Sequence, residues 1–363
     1  MMINEVAATR YGDGGDFEIV VVQVRTDDGL CGLGYQMLFG VSGEFVCGLI
    51  ECKLAPAIDG LSPWLTAQAW KRMAAVLPRR GSDGLARGAI GAIDMALWDL
   101  KGLAAGVPVA HLLGEQRERV PTYINCAHHL EPDALAEKAS GYIAAGHRAL
   151  KIRGSRTFVT PDVAFSRVQA VREAIGPDIK LMVDVNGTWD SDTAIYQLKR
   201  WEPYDVYWLE EPVPPQDIAG YRRISARSGS TNIVGGEQNV GLAEFQALIE
   251  QGGVDIVQPN VAITGGITDW LHIHAFATAQ SVPVSPWNMQ AVHMQMASGL
   301  PNILWIEYFL PENPLLTFKS SLFAGPQLRE VVCDEGVFLE APTAPGLGLK
   351  LDKAVSERSR IMT

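Results

Sequence analysis

Short apolar runs that end in polar residues recur through the middle of the chain, with helical patterns between them. From about residue 120, the candidate strands end at Asn125, Arg153, Asp184, Glu210, Glu237, Asn260, Trp287 and Glu307. The intervening helical patterns include Pro161–Ile175 and Leu242–Glu250. Eight strands alternating with helices in about 200 residues match the length of a (β/α)₈ barrel. The pattern therefore predicts an α/β protein built around a parallel barrel.

The first 118 residues lack this alternation. The apolar run at 17–24 predicts a strand, 26–29 a tight turn, and 31–35 the returning strand of a hairpin. Three helical patterns follow, over 44–52, 66–77 and 85–104. The last of them is apolar on most faces, which indicates that it is buried. We therefore predict an N-terminal α+β capping domain over residues 1–118.

The alternation also stops after Leu310. A turn and a short strand are predicted over 334–339, followed by a loop rich in Pro and Gly over 342–348. We predict a barrel domain over residues 119–325 and a C-terminal segment, residues 326–363, that returns to pack on the capping domain.

Three of the predicted strands end in carboxylates at regular spacing. Asp184 and Glu210 are about 26 residues apart, and Glu210 and Glu237 about 27, which is close to one strand-plus-helix unit. Barrel strands point their C-terminal ends at one face, so these carboxylates should converge. Clustered carboxylates repel one another unless a cation lies among them, and an all-oxygen site suits Mg²⁺. The spacing predicts a metal site of Asp184, Glu210 and Glu237.

Charge and cysteine content narrow the classes of function. The 363-residue chain carries a net charge of −11, which argues against nucleic-acid or anionic-membrane partners. An anionic substrate would then need a local positive centre, which a divalent ion supplies. The five cysteines are scattered without a CxxC pair, so zinc and disulfide frameworks are not expected. With no apolar targeting or spanning segment, we expect a cytoplasmic protein.

The combination of cap, barrel and acidic strand ends resembles the mandelate racemase/muconate lactonizing group of the enolase superfamily. The hairpin at 26–34, the helix at 92–102, the Gly-Gly turn at 265–268 and the loop at 345–348 are similar to the family's own motifs. The resemblance covers nearly the whole chain and implies Mg²⁺ held by the three carboxylates. It also implies abstraction of the proton α to a substrate carboxylate, with a metal-stabilised enediolate. Homo-oligomers are favoured for such barrels.

The usual proton-transfer residues of the family are replaced. The second strand reads Lys151-Ile152-Arg153, so Lys151 matches the family's first lysine and Arg153 replaces the lysine that acts as base. The family's His–Asp pair is replaced by Trp287 and Asn260 at the seventh and sixth strand ends. A guanidinium is a poor base but a good carboxylate ligand.

Other residues are then candidates for the proton transfer. Lys151 is the first, because a neighbouring Arg153 and metal should lower its pKa. His128 and His129, just after the first strand, are the second candidates. Glu307 matches an acid that could hydrogen-bond the substrate carboxylate, and Tyr35 lies where the family's specificity lid is found. Asn260 and Trp287 would then contribute to substrate binding.

The favoured function is a Mg²⁺-dependent hydro-lyase that dehydrates an acid sugar. Loss of water needs one base and one acid, or a single residue that acts as both. Racemisation needs a proton-transfer residue on each face of the substrate. With Arg153 and Trp287 at the two usual base positions, dehydration is the easier chemistry to support. The alternatives are a racemase or epimerase of a related carboxylate, and a metal-binding paralogue without proton-transfer chemistry.

Overall fold

A computed structural model describes most of the chain. The described residues are 1–15, 17–79, 81–114, 117–126, 130–154, 160–311, 313, 316–323 and 328–362. Within these ranges, no helix has the length and apolar character needed to cross a membrane.

The strands, numbered in chain order, are β1 Ile3–Gly12, β2 Phe17–Thr26, β3 Cys31–Phe39, β4 Arg119–Asn125, β5 Ala149–Arg153, β6 Lys180–Asp184, β7 Val206–Glu210, β8 Asn232–Gly235, β9 Ile256–Val257, β10 Ile306–Tyr308, β11 Glu330–Cys333 and β12 Gly336–Glu340. The helices are α1 Glu44–Leu49, α2 Ala55–Ile58, α3 Thr66–Ala75, α4 Leu85–Ala105, α5 Val109–Leu113, α6 Pro132–Ala144, α7 Pro161–Ile175, α8 Ser191–Trp201, α9 Ile218–Ser225, α10 Gly241–Ala247, α11 Val261–Thr264, α12 Ile267–Ala279, α13 Gln290–Gly299, α14 Thr317–Leu322 and α15 Lys353–Ser359. Short π-helical turns, Ile50–Leu54 and Leu248–Gly252, extend α1 and α10.

Two sheets organise the fold. β1, β2 and β3 form an antiparallel sheet that packs on the long, buried helix α4. β4 to β9 form a parallel sheet in sequential order, and β10 pairs with β4 in parallel. Single bridges at Val284 continue the sheet from Val257 to Ile303. This arrangement agrees with the predicted fold class, a (β/α)₈-type barrel with an α+β cap.

The seventh strand of the barrel is much shorter than the sequence pattern suggested. Val284 alone makes the bridges, because Pro283 and Pro286 on either side of it have no N–H to donate to a ladder. The fifth and sixth strands also stop early, at Gly235 and Val257. The bounds of two predicted helices agree more closely with the structure. α7 has the predicted bounds, and α4 extends one residue beyond its predicted end at residue 104.

The C-terminal segment touches both parts of the molecule. β12 pairs antiparallel with β4, Gly346 bridges to Pro108, and Arg360 bridges to Tyr11 on β1. Buried Asp99 on α4 joins these regions, since its carboxylate accepts hydrogen bonds from Leu33 N at 2.8 Å and Leu347 N at 2.6 Å. The domain limits proposed from the sequence remain a prediction.

We expect Asp99→Ala to destabilise the fold by about 2–5 kcal/mol, because it leaves two backbone N–H groups without their acceptor. Urea denaturation followed by circular dichroism would measure the change. Asp178→Ala, at an exposed position, is the matched control and should change the free energy of unfolding by less than about 0.5 kcal/mol. Equal stability of both variants would contradict the proposed anchoring by Asp99.

Candidate active site

Three buried carboxylates meet at the C-terminal ends of adjacent barrel strands. Asp184 and Glu210 are the last residues of β6 and β7 and are paired in register. Glu237 lies two residues beyond β8, after Gly236, whose φ of 118° carries the chain sharply away from the strand. One carboxylate oxygen from each residue lies within 4.8 Å of the others. The predicted cluster is therefore brought together by the fold.

The turns after these strands hold the cluster in a fixed shape. Asn186 has a φ of 47° and Glu211 a φ of 44°, both in the left-handed region that costs a non-glycine residue energy. Asn186 donates from its side-chain Nδ2 to Glu237 Oε1 at 3.1 Å and from its backbone N to Asp184 Oδ1 at 2.9 Å. Gln238 donates to Glu211 Oε2 at 2.6 Å. Asn186 thus orients two of the three carboxylates.

The electrostatics of the cluster suit a bound cation. Burial raises the pKa of Glu210 to about 8, although Lys151 opposes that shift. Burial and the neighbouring carboxylates Glu211 and Asp184 raise the pKa of Glu237 well above its usual value. Glu237 Oε2 is buried without a hydrogen-bond partner. An unpartnered oxygen in an all-carboxylate cluster is the donor chemistry that hard divalent ions such as Mg²⁺ prefer.

Lys151 lies inside the acidic cluster. Its Nζ is fully buried and is 2.5 Å from Glu210 Oε1, 2.9 Å from Glu307 Oε1 and 3.6 Å from Asp184 Oδ2. Burial alone lowers the pKa of Lys151, but Glu210 and Glu307 outweigh it and hold the pKa well above its usual value. The predicted fall in the pKa of Lys151 was argued from Arg153 and a bound divalent ion. It stays a prediction, because two of the carboxylates that oppose it here, Glu210 and Asp184, are residues that would hold that ion.

Arg153 forms the second cationic contact. Its Nη1 lies 2.9 Å from Asp184 Oδ2, and the side chain is almost completely buried. Burial alone lowers the pKa of Arg153, but Asp184 and Glu237 raise it further above its usual value. Arg153 therefore remains charged and can act as a ligand for carboxylates but not as a base.

Glu307 links the cluster to the seventh and eighth barrel positions. Besides its contact with Lys151, its Oε1 accepts from Asn125 Nδ2 at 2.7 Å. Its Oε2 accepts from the backbone N of Asn288 at 3.1 Å. Asn288 has a φ of 54°, so the strained turn after Val284 presents this N–H to Glu307.

A cavity of about 400 Å³ opens beside the carboxylates. Its lining includes Glu237, Asn186, Asn260 and Trp287 from the barrel and Gln36 from the cap. The Asn260 side chain is already engaged: Oδ1 accepts from the backbone N of the first turn of α11, and Nδ2 donates to the Trp287 carbonyl at 3.1 Å. Asn260 thus shapes the cavity wall as a helix cap.

The remaining candidates are placed differently. Tyr35 is buried on β3, and its ring packs against that of Phe323 with 4.6 Å between the ring centroids. It lines a second cavity and not the one beside the carboxylates. Burial raises the pKa of its phenol above the usual value. His128 and His129 lie outside the described residues. His293 is buried with both ring nitrogens in hydrogen bonds, and burial lowers its pKa to about 3.

Sequence reasoning missed Lys319, a buried lysine on α14. Its Nζ lies 2.8 Å from Asn288 Oδ1, and the backbone N of the same Asn288 donates to Glu307. Lys319 and Glu307 are thus linked through Asn288. The barrel pattern gave no signal for it, because α14 follows the last barrel strand and carries no recognisable spacing.

Comparison with known families identifies the fold. Residues 9–114 match the mandelate racemase / muconate lactonizing enzyme N-terminal domain, and residues 134–355 match the enolase C-terminal domain-like family. The chain belongs to the mandelate racemase/muconate lactonizing enzyme group of the enolase superfamily. The resemblance drawn from the sequence motifs is confirmed, and with it the prediction that the chain is an enzyme of this superfamily.

Individual relatives share most of the chain. A 3,6-anhydro-alpha-L-galactonate cycloisomerase from Streptomyces coelicolor is 33% identical over 93% of this chain and 90% of its own length. An L-talarate/galactarate dehydratase from Salmonella typhimurium is 30% identical over 85% of this chain and 77% of its own. The crystal structure of L-talarate dehydratase from Polaromonas sp. JS666, complexed with Mg and L-glucarate, has a TM-score of 0.86 at 30% identity and covers 98% of this chain and 96% of that one.

Proposed function

We propose that this protein is a Mg²⁺-dependent hydro-lyase that removes water from an acid sugar. The observation that carries the proposal is the convergence of Asp184, Glu210 and Glu237, whose oxygens lie within 4.8 Å of one another in a buried site. The relative named as an L-talarate/galactarate dehydratase, from Salmonella typhimurium, supports the reaction class.

The three carboxylates would hold the ion. Bound there, Mg²⁺ would supply positive charge to offset the negative charge that develops on a substrate carboxylate when its α-proton leaves. Asn186 would keep Glu237 and Asp184 oriented toward the ion through its two hydrogen bonds. Arg153, whose Nη1 lies 2.9 Å from Asp184 Oδ2, would hold that carboxylate in position.

Lys151 and Glu307 would complete the electrostatic environment of the substrate carboxylate. The Lys151 ammonium, whose Nζ lies within 3.6 Å of carboxylates of Glu210, Glu307 and Asp184, would provide positive charge and hydrogen bonds there. This assignment departs from the sequence-based hypothesis that Lys151 is the base. Glu307 is held by Asn125 and by the backbone of Asn288, and would face the substrate carboxylate in a fixed orientation.

The cavity beside the carboxylates favours a polyhydroxylated substrate. Gln36, Asn186 and Asn260 line it together with Trp287. The amide groups of Gln36 and Asn186 can hydrogen-bond sugar hydroxyls, while Asn260, already engaged as a helix cap, shapes the wall, and the indole ring of Trp287 offers an apolar surface. The volume of about 400 Å³ is within the usual range for small-molecule sites.

Incubation of the Mg²⁺-loaded protein with a library of acid sugars is the test, with 2-keto acid formation as the readout. We expect turnover of at least one member, lost when EDTA removes the metal and restored by added Mg²⁺. Asp178→Ala is the matched control and should retain full activity. If the substrate is racemised or epimerised and no 2-keto acid forms, the protein is a racemase or epimerase and the proposal is wrong. If the Mg²⁺-loaded protein turns over no member of the library, the proposed dehydratase function is contradicted.

A further inference from the structure

β3 packs closely against α4, and the glycine that allows this changes sides along the contact. A Cβ added to Gly32 or Gly34 would lie 2.2 Å and 2.0 Å, respectively, from backbone carbonyl oxygens of α4. Alternate residues of a strand share one face, so Gln36 is the next side chain directed at the helix. Here the glycine is on the helix, because a Cβ on Gly88 would lie 2.1 Å from Gln36 Nε2. The space between strand and helix is thus filled by the Gln36 side chain.

The Gln36 amide has unused hydrogen-bonding capacity although it is buried. The residue is 6% exposed, and its Oε1 has no hydrogen-bond partner among the described residues. Its Nε2 makes one long hydrogen bond, of 3.4 Å, to the carbonyl oxygen of Leu85. An unpartnered buried carbonyl lowers stability, so an apolar side chain of the same size would suit the fold better. The amide therefore indicates a partner that the described part of the chain does not provide.

The cavity beside the carboxylates is the place where such a partner would bind. Gln36 lines this cavity from the cap, and Glu237 and Asn186 line it from the barrel. Tyr35, the preceding residue of β3, faces the second cavity instead, as the alternation of side chains requires. One continuous cavity thus joins the Gln36 amide to a carboxylate of the metal cluster. In the proposed function the substrate carboxylate lies at that cluster, so the amide on the cap wall meets a part of the substrate farther along its carbon chain.

The position of Gln36 is fixed, because the cap is bound to the barrel nearby. Trp70 Nε1 donates to the carbonyl oxygen of Gly265 at 2.8 Å. Trp98, on the same helix as Gly88, donates from its Nε1 to Thr268 Oγ1 at 3.0 Å. A polar group on a rigid wall discriminates between ligands better than one on a mobile loop, because binding need not order it.

We propose that Gln36 is a specificity-determining residue, which accepts a hydrogen bond from a substrate hydroxyl beyond the two carbons that react. This inference rests on the proposed function. The ligand that Gln36 selects is an acid sugar with a hydroxyl on that part of its chain. This hydroxyl gives Oε1 the hydrogen bond that it lacks, whereas an analogue that is deoxy at that carbon leaves Oε1 unpartnered.

Gln36→Met is the direct test, because methionine keeps the length of the side chain and removes the amide. The acid sugar that the library identifies is compared with analogues that each lack one hydroxyl beyond the reacting carbons. In the wild-type protein, one of these omissions should lower kcat/KM by about 10- to 100-fold, mainly through KM. In Gln36→Met the same omission should lower it by less than about 3-fold. Gln68→Met, at an exposed position on α3, is the matched control and should keep the wild-type preference.

Gly88→Ala tests the inference without changing Gln36 itself. The added Cβ would lie 2.1 Å from Gln36 Nε2, so the amide has to move. Alanine favours a helix more than glycine does and the end of a glutamine side chain is flexible, so the melting temperature should not fall. The preference for the hydroxyl should fall nevertheless. Gly48→Ala on α1, where an added Cβ meets no atom within 4 Å, is the control and should keep the preference.

The melting temperature separates this role from a structural one. Gln36→Met should melt no lower than the wild-type protein, because it removes an unpartnered buried polar group. The inference is overturned if no omitted hydroxyl lowers kcat/KM in the wild-type protein, or if Gln36→Met keeps the wild-type preference. It is also overturned if Gln36→Met melts lower and loses the same activity toward every analogue.

Failure of the proposed function looks different, because the wild-type protein would then form no 2-keto acid from any acid sugar. Calorimetric titration of the Mg²⁺-loaded protein with the same acid sugars and deoxy analogues would still test Gln36. Binding that prefers the hydroxyl in the wild-type protein, with the preference lost in Gln36→Met, supports the inference. Binding without that preference, or no binding, overturns it.

Discussion

Asp184→Asn, Glu210→Gln and Glu237→Gln should each weaken Mg²⁺ binding by about 100-fold or more and abolish turnover at millimolar Mg²⁺. Each change replaces a charged oxygen by a neutral amide in a cluster whose oxygens lie within 4.8 Å. Loss of a direct ligand should cost more than loss of an outer partner, which costs about 10- to 100-fold. Calorimetric titration with Mg²⁺ measures the affinity directly.

The stability of these variants provides the internal control. Glu237 has no ion-pair partner among the described residues, so Glu237→Gln only removes a negative charge from a mutually repelling group and should not lower the melting temperature without metal. Asp184→Asn and Glu210→Gln also remove the buried partners of Arg153 and Lys151 and should therefore melt at a lower temperature than Glu237→Gln. The wild-type protein should melt at a higher temperature when Mg²⁺ is added, and the variants should show little of that increase. Unchanged Mg²⁺ affinity in all three variants would show that the cluster is not the metal site.

Lys151→Met should have the second-largest effect, on both stability and activity. The change removes a buried cation that contacts Glu210 at 2.5 Å and Glu307 at 2.9 Å, so these carboxylates lose their compensating charge. We expect the protein without metal to lose about 3–5 kcal/mol of stability, as when one partner of a buried ion pair is removed. Turnover should also be lost, because the positive charge of Lys151 would no longer stabilise the substrate carboxylate.

Added Mg²⁺ distinguishes this role from that of a base. A bound divalent ion would replace part of the missing positive charge, so Mg²⁺ should raise the melting temperature of Lys151→Met more than that of the wild-type protein. Lys53→Met, on the cap and outside the site, should behave like wild type. If Lys151→Met keeps wild-type stability without metal, the compensating role of Lys151 is wrong.

The metal cluster could be predicted because it follows from chain topology. Strands of a parallel barrel end at one face, so Asp184, Glu210 and Glu237 had to lie near one another once the period was recognised. The antiparallel hairpin and the buried helix α4 could be predicted equally well. The turn residues indicate the hairpin, and the apolar residues on most faces of α4 indicate that it is buried.

Other features depended on contacts that no local pattern reports. The pKa of Lys151 is raised by carboxylates from three different strands. This shift could not be deduced from the neighbouring Arg153 alone. Lys319 lies on a helix beyond the barrel repeat, and only the folded chain brings it to Asn288. Tyr35 was expected at the substrate, but its ring packs on Phe323 and faces the second cavity.

Proton NMR in D₂O tests the central claim most directly, with the Mg²⁺-loaded wild-type protein compared with Glu237→Gln on the acid sugar that the library identifies. The account predicts that the wild-type protein removes the α-proton signal of the substrate as the 2-keto acid appears, and that Glu237→Gln does neither. Equal loss of the α-proton signal in both proteins, or in the presence of EDTA, would contradict a reaction that depends on a metal held by these three carboxylates.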